Sequence, residues 1–106
     1  MPVVNQDLDL PDGTSPADVV AQVRLVDATH QPQVYYDSND KAIAGWATLT
    51  VSATGTWTAT LTGNTSLTPS GSRYELVERL GAAPPQTTYL TVPAAGGPYN
   101  VPDILA

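Results

Sequence analysis

Between Ala47 and Leu61 the chain alternates apolar residues with threonine on both sides of a short break, Ser52-Ala53-Thr54-Gly55. Side chains of an extended strand point to alternate faces, so a period of two marks a strand with one dry and one wet side. The segment predicts a β-hairpin of strands 47–51 and 56–61. Register then decides the outcome. A two-residue loop at Ala53-Thr54 sets Thr50 against Trp57 and Trp46 against Leu61, which splits the apolar rows between the faces. A three-residue loop, 53–55, with Gly55 in the left-handed conformation, sets Val51 against Trp57, Leu49 against Ala59 and Ala47 against Leu61. The apolar row then faces one way, and Thr50 with Thr58 and Thr48 with Thr60 form a threonine ladder on the other.

The rest of the composition agrees with strands. Fourteen threonines, ten prolines, eight glycines and no phenylalanine favour short strands punctuated by turns over helices. At 106 residues the chain fits one domain with one core. It has no cysteine, so neither disulfides nor thiolate metal sites contribute. A net charge of −6, with Arg24, Lys41, Arg73 and Arg79 the only basic residues, argues against nucleic acid as a partner. No apolar run approaches the roughly 20 residues that span a bilayer, and residues 1–5 lack the basic start and apolar stretch of a signal peptide. The expectation is a soluble protein without membrane contact or signal peptide.

Residues 1–16 read as an N-terminal arm or edge strand followed by the Pro11-Asp12-Gly13-Thr14-Ser15-Pro16 loop, and residues 17–106 as the β-sandwich domain. In 19–27, Val19, Ala21, Val23 and Leu25 line one face and Gln22 and Arg24 the other. Ser15-Pro16-Ala17-Asp18 offers a helix start as a rival, but the density of β-branched valines favours a strand. A second hairpin joins 33–36 to 42–46 around Asn39-Asp40, and 73–80 and 87–92 are further strands. The fold class expected is all-β, a small antiparallel β-sandwich of about seven short strands. Its expected core is Val23, Leu25, Leu49, Trp57, Leu61, Tyr74, Leu76, Leu90 and Val92.

Catalytic equipment is sparse. His30 is the only histidine, lies in the 27–32 turn and has no Gly-x-Ser-x-Gly partner, so it reads as a surface turn residue. Asp7, Asp9 and Asp12 precede Gly13 without calcium-loop spacing, and Asp37, Asn39 and Asp40 read as turn formers. Glu75 and Glu78, the only glutamates, sit three apart on one strand and therefore face opposite ways, unsuited to sharing a glycosidic bond. Asn64-Thr65-Ser66 is a glycosylation sequon. No enzyme, cofactor or metal is expected. Trp46 stands apart, because the register that buries Trp57 turns Trp46 to the threonine face. It is the candidate partner or sugar contact, with Tyr35 and Tyr36 extending the surface.

Four stretches in order, 23–27 (VRLVD), 55–61 (GTWTATL), 70–78 (SGSRYELVE) and 92–105 (VPAAGGPYNVPDIL), resemble the transthyretin-like, or prealbumin-like, N-terminal domain of minor tail proteins and tail fibres of tailed bacteriophages. The similarity covers nearly the whole chain from Ala17 onward. It implies a transthyretin-like or Ig-like sandwich, a virion location, and a structural role in attaching or oligomerising a fibre. The partners implied are copies of itself, as a trimer, and other phage tail proteins, with host recognition left to later domains. The chain ends at Ala106 without a collagen-like repeat or receptor-binding tip, which fits an excised domain or a short protein equally. Two other classes stay open. A cell-surface adhesin or pilin-like repeat is suggested by Tyr74-Glu75-Leu76-Val77-Glu78, although Asp27 stands where such repeats place an isopeptide-forming lysine. A carbohydrate-binding module would use Trp46 on a host surface glycan.

Overall fold

The computed structural model describes residues 2–106. Nine strands are present among them: β1 (Val3–Asp7), β2 (Val19–Val26), β3 (Tyr35–Tyr36), β4 (Ala42–Ile43), β5 (Ala47–Leu49), β6 (Thr56–Thr60), β7 (Arg73–Leu80), β8 (Gln86–Leu90) and β9 (Tyr99–Asn100). They form a three-stranded sheet β6-β1-β9, a four-stranded sheet β5-β2-β7-β8 and the small hairpin β3-β4. The chain is all-β. Every ladder is antiparallel except the short β1–β9 pair, which is parallel. No helix among the described residues is long and apolar enough to cross a membrane.

The two larger sheets pack face to face around one core. Val4 and Trp57 come from the three-stranded sheet, and Ala21, Val23, Leu25, Tyr74, Leu76 and Leu90 from the other. Tyr35, Leu61, Leu67, Val92, Val101 and Ile104 close it from the connecting segments. Eight of the nine core positions expected from sequence are buried; Leu49 is half-buried and packs against the rim.

The predicted turn around Gly55 is present, but the predicted hairpin is not. Ser52 N–H donates to Thr56 C=O at 2.9 Å, Gly55 N–H returns to Ser52 C=O at 3.0 Å, and Gly55 has φ of +80°. Val51 bridges to Trp57 as expected. There the two strands part. β5 pairs with β2, setting Leu49 opposite Ala21 and Ala47 opposite Val23, while β6 pairs with β1. The segment is an arch from one sheet to the other, so the Thr50–Thr58 and Thr48–Thr60 ladder does not form. Thr48 lies opposite Gln22, and the Thr58 hydroxyl donates to Asn5 Oδ1 at 2.9 Å. The apolar alternation serves both arrangements, because in either case Trp57 points inward. What differs is that β2 and β1 offer longer partners than β5 and β6 offer each other.

The N-terminal segment also differs from expectation. β1 is the central strand of its sheet, with Val4 fully buried, and is therefore no edge or loose arm. Its alternation, Val4 and Gln6 inward against Val3, Asn5 and Asp7, is too short and too polar to announce a central position.

Four five-residue turns share one geometry. In 10–14, 27–31, 37–41 and 52–56 the first N–H donates to the fifth C=O, the fourth N–H donates back to the first C=O, and the fourth residue has positive φ. Gly13 and Gly55 fill that fourth place at no steric cost; His30 and Asp40 fill it as non-glycine residues. In three of the turns the first side chain, Asp27, Asp37 or Ser52, also accepts the fifth N–H. Short polar side chains that bond the backbone ahead of them are what make such turns self-sufficient.

Gly63 marks the closest backbone approach. A Cβ there would stand 2.7 Å from the Pro93 carbonyl oxygen and collide with the backbone of Ala94. The contact is fixed by Asn64, whose N–H donates to Val92 C=O at 2.8 Å while its Oδ1 accepts Val92 N–H at 2.6 Å. Gly63→Ala is expected to destabilise the fold by about 1–3 kcal/mol, since backbone cannot retreat as a flexible side chain would. A urea-denaturation midpoint equal to wild type would contradict this.

Candidate functional site

The wet face of the four-stranded sheet carries one cross-strand row of interacting side chains. Register sets Arg24 of β2 opposite Glu75 of β7, and Glu75 opposite Tyr89 of β8. Trp46 lies one step beyond the Val23–Ala47 pair, beside Arg24. All four point outward because they are out of phase with the inward set Val23, Leu25, Tyr74, Leu76 and Leu90. The sheet order alone thus produces the sequence Trp46, Arg24, Glu75, Tyr89.

Each neighbour in the row is in contact. The Arg24 guanidinium sits 4.4 Å from the Trp46 ring centroid, and its Nε donates to Glu75 Oε1 at 2.6 Å. Tyr89 donates its hydroxyl to Glu75 Oε2 at 3.2 Å. His30, from the 27–31 turn, stacks on the Tyr89 ring at 3.6 Å between centroids and 9° between planes. A charge-assisted bond of this length fixes the guanidinium plane, and an Arg over an indole contributes roughly 0.5–1 kcal/mol at an exposed site. Burial, and then the bond to Glu75, push the Tyr89 phenol above its ordinary value. The row is therefore preorganised, with Trp46, 44% exposed, at its free end.

Two clefts meet at Trp46. One of about 240 Å³ runs between Arg24, Pro32, Gln33, Val34 and Gly45. The other, about 300 Å³, opens between the sheets past Ile43, Ala47, Thr60, Leu61 and Tyr74. Their walls are mostly apolar side chains with Arg24 as the single charge.

Sequence reasoning located Trp46 but not its company. Tyr35 is not a surface residue: it is 1% exposed, lies within the core, and directs its hydroxyl to Val26 C=O at 3.4 Å. Burial raises its phenol. Tyr36 is 46% exposed but lines neither cleft. Adjacent strand residues must face opposite ways, so only one tyrosine of the pair could have joined Trp46, and neither does. The Arg24–Glu75–Tyr89 row was missed because it needs the pairing of three strands distant in sequence; the only signal was that all three occupy outward phases.

Glu78 faces the opposite way from Glu75, as the spacing required. It is 4% exposed, and it accepts the Trp57 indole N–H on Oε2 at 2.9 Å and Gln6 Nε2 on Oε1 at 3.4 Å. Asn64 of the sequon is buried with both ends of its amide engaged, Nδ2 donating to Ser72 at 2.9 Å, so the folded chain presents no acceptor there. The sole lysine, Lys41, closes the 37–41 turn. Among the described residues no group of three or more His, Cys, Asp or Glu converges as a metal site. Of the aspartates considered for cations, Asp12 accepts from Thr14 N–H, Asp37 from the N–H groups of Asn39 and Lys41, and Asp7 from the Thr56 hydroxyl; Asp27, in its own turn, accepts from Thr29 and Gln31.

No protein-family model, curated protein or solved structure matches this chain.

The Thr29 hydroxyl, followed by the Gln31 N–H, holds the Asp27 carboxyl below its ordinary range. A depressed carboxyl adds stability above its unfolded-state pKa and loses it as pH falls through the lower folded value. Melting temperature should therefore drop on acidification below about pH 4, and by less in Asp27→Asn. Parallel melting curves for the two proteins across that interval would contradict the role given to this turn.

Proposed function

We propose that the protein is a non-enzymatic structural module of a phage tail fibre or minor tail protein, which attaches or oligomerises the fibre, and that the surface around Trp46 and Arg24 is one of its contacts. The observation that carries the contact is the half-exposed indole pinned by an arginine that Glu75 in turn holds, at the junction of two apolar clefts. Trp, Arg and Tyr supply most of the energy at protein interfaces, and side chains held in place before binding lose little entropy on docking. The virion assignment is supported by the resemblance of residues 17–106 to transthyretin-like tail domains. Its partners are copies of itself and neighbouring tail proteins.

One observation favours a second reading. An indole exposed between two clefts is also the platform on which a sugar ring stacks, which suits a host surface glycan. The two readings separate in one set of titrations. Binding to the purified tail proteins encoded beside this chain should weaken about tenfold or more in Trp46→Ala, a loss of ~1.4 kcal/mol or greater. Because Trp57 is buried, tryptophan emission that changes with cell-wall sugars instead would report Trp46 and favour the glycan. Tail-protein binding indifferent to Trp46→Ala would contradict the contact, and an absence of any tail-protein binding would contradict the module.

A further inference from the structure

On the wet face of the four-stranded sheet, beyond the Trp46 row, the register sets Gln22 of β2 opposite Val77 of β7 and Val20 opposite Arg79. With Pro85, which leads into β8, these side chains line a groove of about 230 Å³. Three of its five walls are apolar, and Val20 is 42% exposed. Arg79 is the one charge of the groove; it is exposed and has no ion-pair partner among the described residues.

The corner that follows β1 is the complement of this groove. Asp9, Leu10, Pro11 and Asp12 are consecutive and all exposed, Leu10 at 39%. The turn 10–14 holds the corner rigid: Leu10 N–H donates to Thr14 C=O, Gly13 N–H donates back to Leu10 C=O, and Asp12 Oδ1 accepts both the N–H and the hydroxyl of Thr14. The Leu10 side chain is thereby presented to solvent between two carboxylates. An exposed leucine is ordinary by itself. Here an apolar knob flanked by acids and an apolar groove marked by an unpaired arginine occur on one chain, and Leu10 is not a wall of the groove in its own copy.

We propose that the Asp9–Asp12 corner of one copy of this chain seats in the Val20–Arg79 groove of a second copy. Leu10 packs against Val20, Val77 and Pro85 of that copy, and Asp9 and Asp12 approach its Arg79. Removing these apolar side chains from water supplies most of the affinity, while the exposed ion pairs select the partner and orient it. The turn is closed before docking, so little entropy is lost there. At −6 two copies repel overall, but charges more than about 8 Å apart are largely screened at physiological ionic strength, and the chain measures 43 × 27 × 20 Å, so the opposite signs at the contact decide. Corner and groove are different patches, which makes the contact heterologous: copies add head to tail, into a ring if the rotation closes and into an open chain if it does not. The inference goes beyond the Trp46 contact and uses no part of the virion assignment.

Sedimentation across a wide concentration range should show a mass that rises above 11.1 kDa. Leu10→Ser, which removes the knob, and Arg79→Glu, which sets a carboxylate against Asp9 and Asp12, should each weaken association about tenfold or more, and because both positions are exposed the fold should hold. Mixed in equal amounts, the two variants keep one intact groove and one intact corner between them, so they should restore a pair of twice the monomer mass that grows no further. Val20→Thr, which keeps a strand-forming residue but makes the groove polar, takes the place of Arg79→Glu if that variant loses its fold. A wild-type mass of 11.1 kDa at every concentration overturns the proposal and leaves the Trp46 contact with other tail proteins standing. Association that neither variant weakens, or a mixture that associates no better than its parts, overturns the assignment of corner and groove.

Discussion

The bond from the Trp57 indole to Glu78 crosses between the sheets, and most of the arrangement depends on what it demands. Trp57 belongs to the three-stranded sheet and Glu78 to the four-stranded one, and each is almost fully buried. A buried carboxyl is tolerated only where donors meet it, and here the indole and Gln6 both do so from the facing sheet. That geometry requires the chain to leave β5 in one sheet and arrive at β6 in the other with the indole already turned inward. The turn at Gly55 accomplishes this. A Cβ at that position would stand 2.5 Å from the Leu8 carbonyl oxygen, so the left-handed glycine both reverses the chain and lets β1 come alongside.

The outward surface follows from the same register. Once β2, β7 and β8 are aligned by their inward residues, Arg24, Glu75 and Tyr89 must fall in one line, and Trp46 is carried to its end by the strand that the arch releases. A chain with four basic residues devotes one of them to holding this row together. The charge is spent on orientation, which leaves the indole and its flanking clefts as a mostly apolar, prearranged contact.

Much of this was legible in the sequence, and the rest was hidden for identifiable reasons. Period-two alternation revealed the strands, and the odd-numbered turn at Gly55 put Trp57 inside, because both are local properties. Strand partners are not local. Thr56–Leu61 looks like the mate of Ala47–Val51, yet β1, some fifty residues away, offers five paired positions in its place. Tyr35 and Tyr36 could not be told apart by composition, since a two-residue strand carries no periodicity. The recurring five-residue turn escaped notice because its defining position accepts glycine, histidine or aspartate, leaving the backbone geometry repeated and the letters unlike.

A double-mutant cycle on Trp57→Phe and Glu78→Leu tests the central contact between the sheets most directly. Each single change leaves one buried polar group without its main partner and should cost about 1–3 kcal/mol beyond its change in packing, whereas the double variant should recover part of that loss, giving a coupling above about 1 kcal/mol. Unfolding free energies that simply add would contradict the claim that this bond ties the two sheets together.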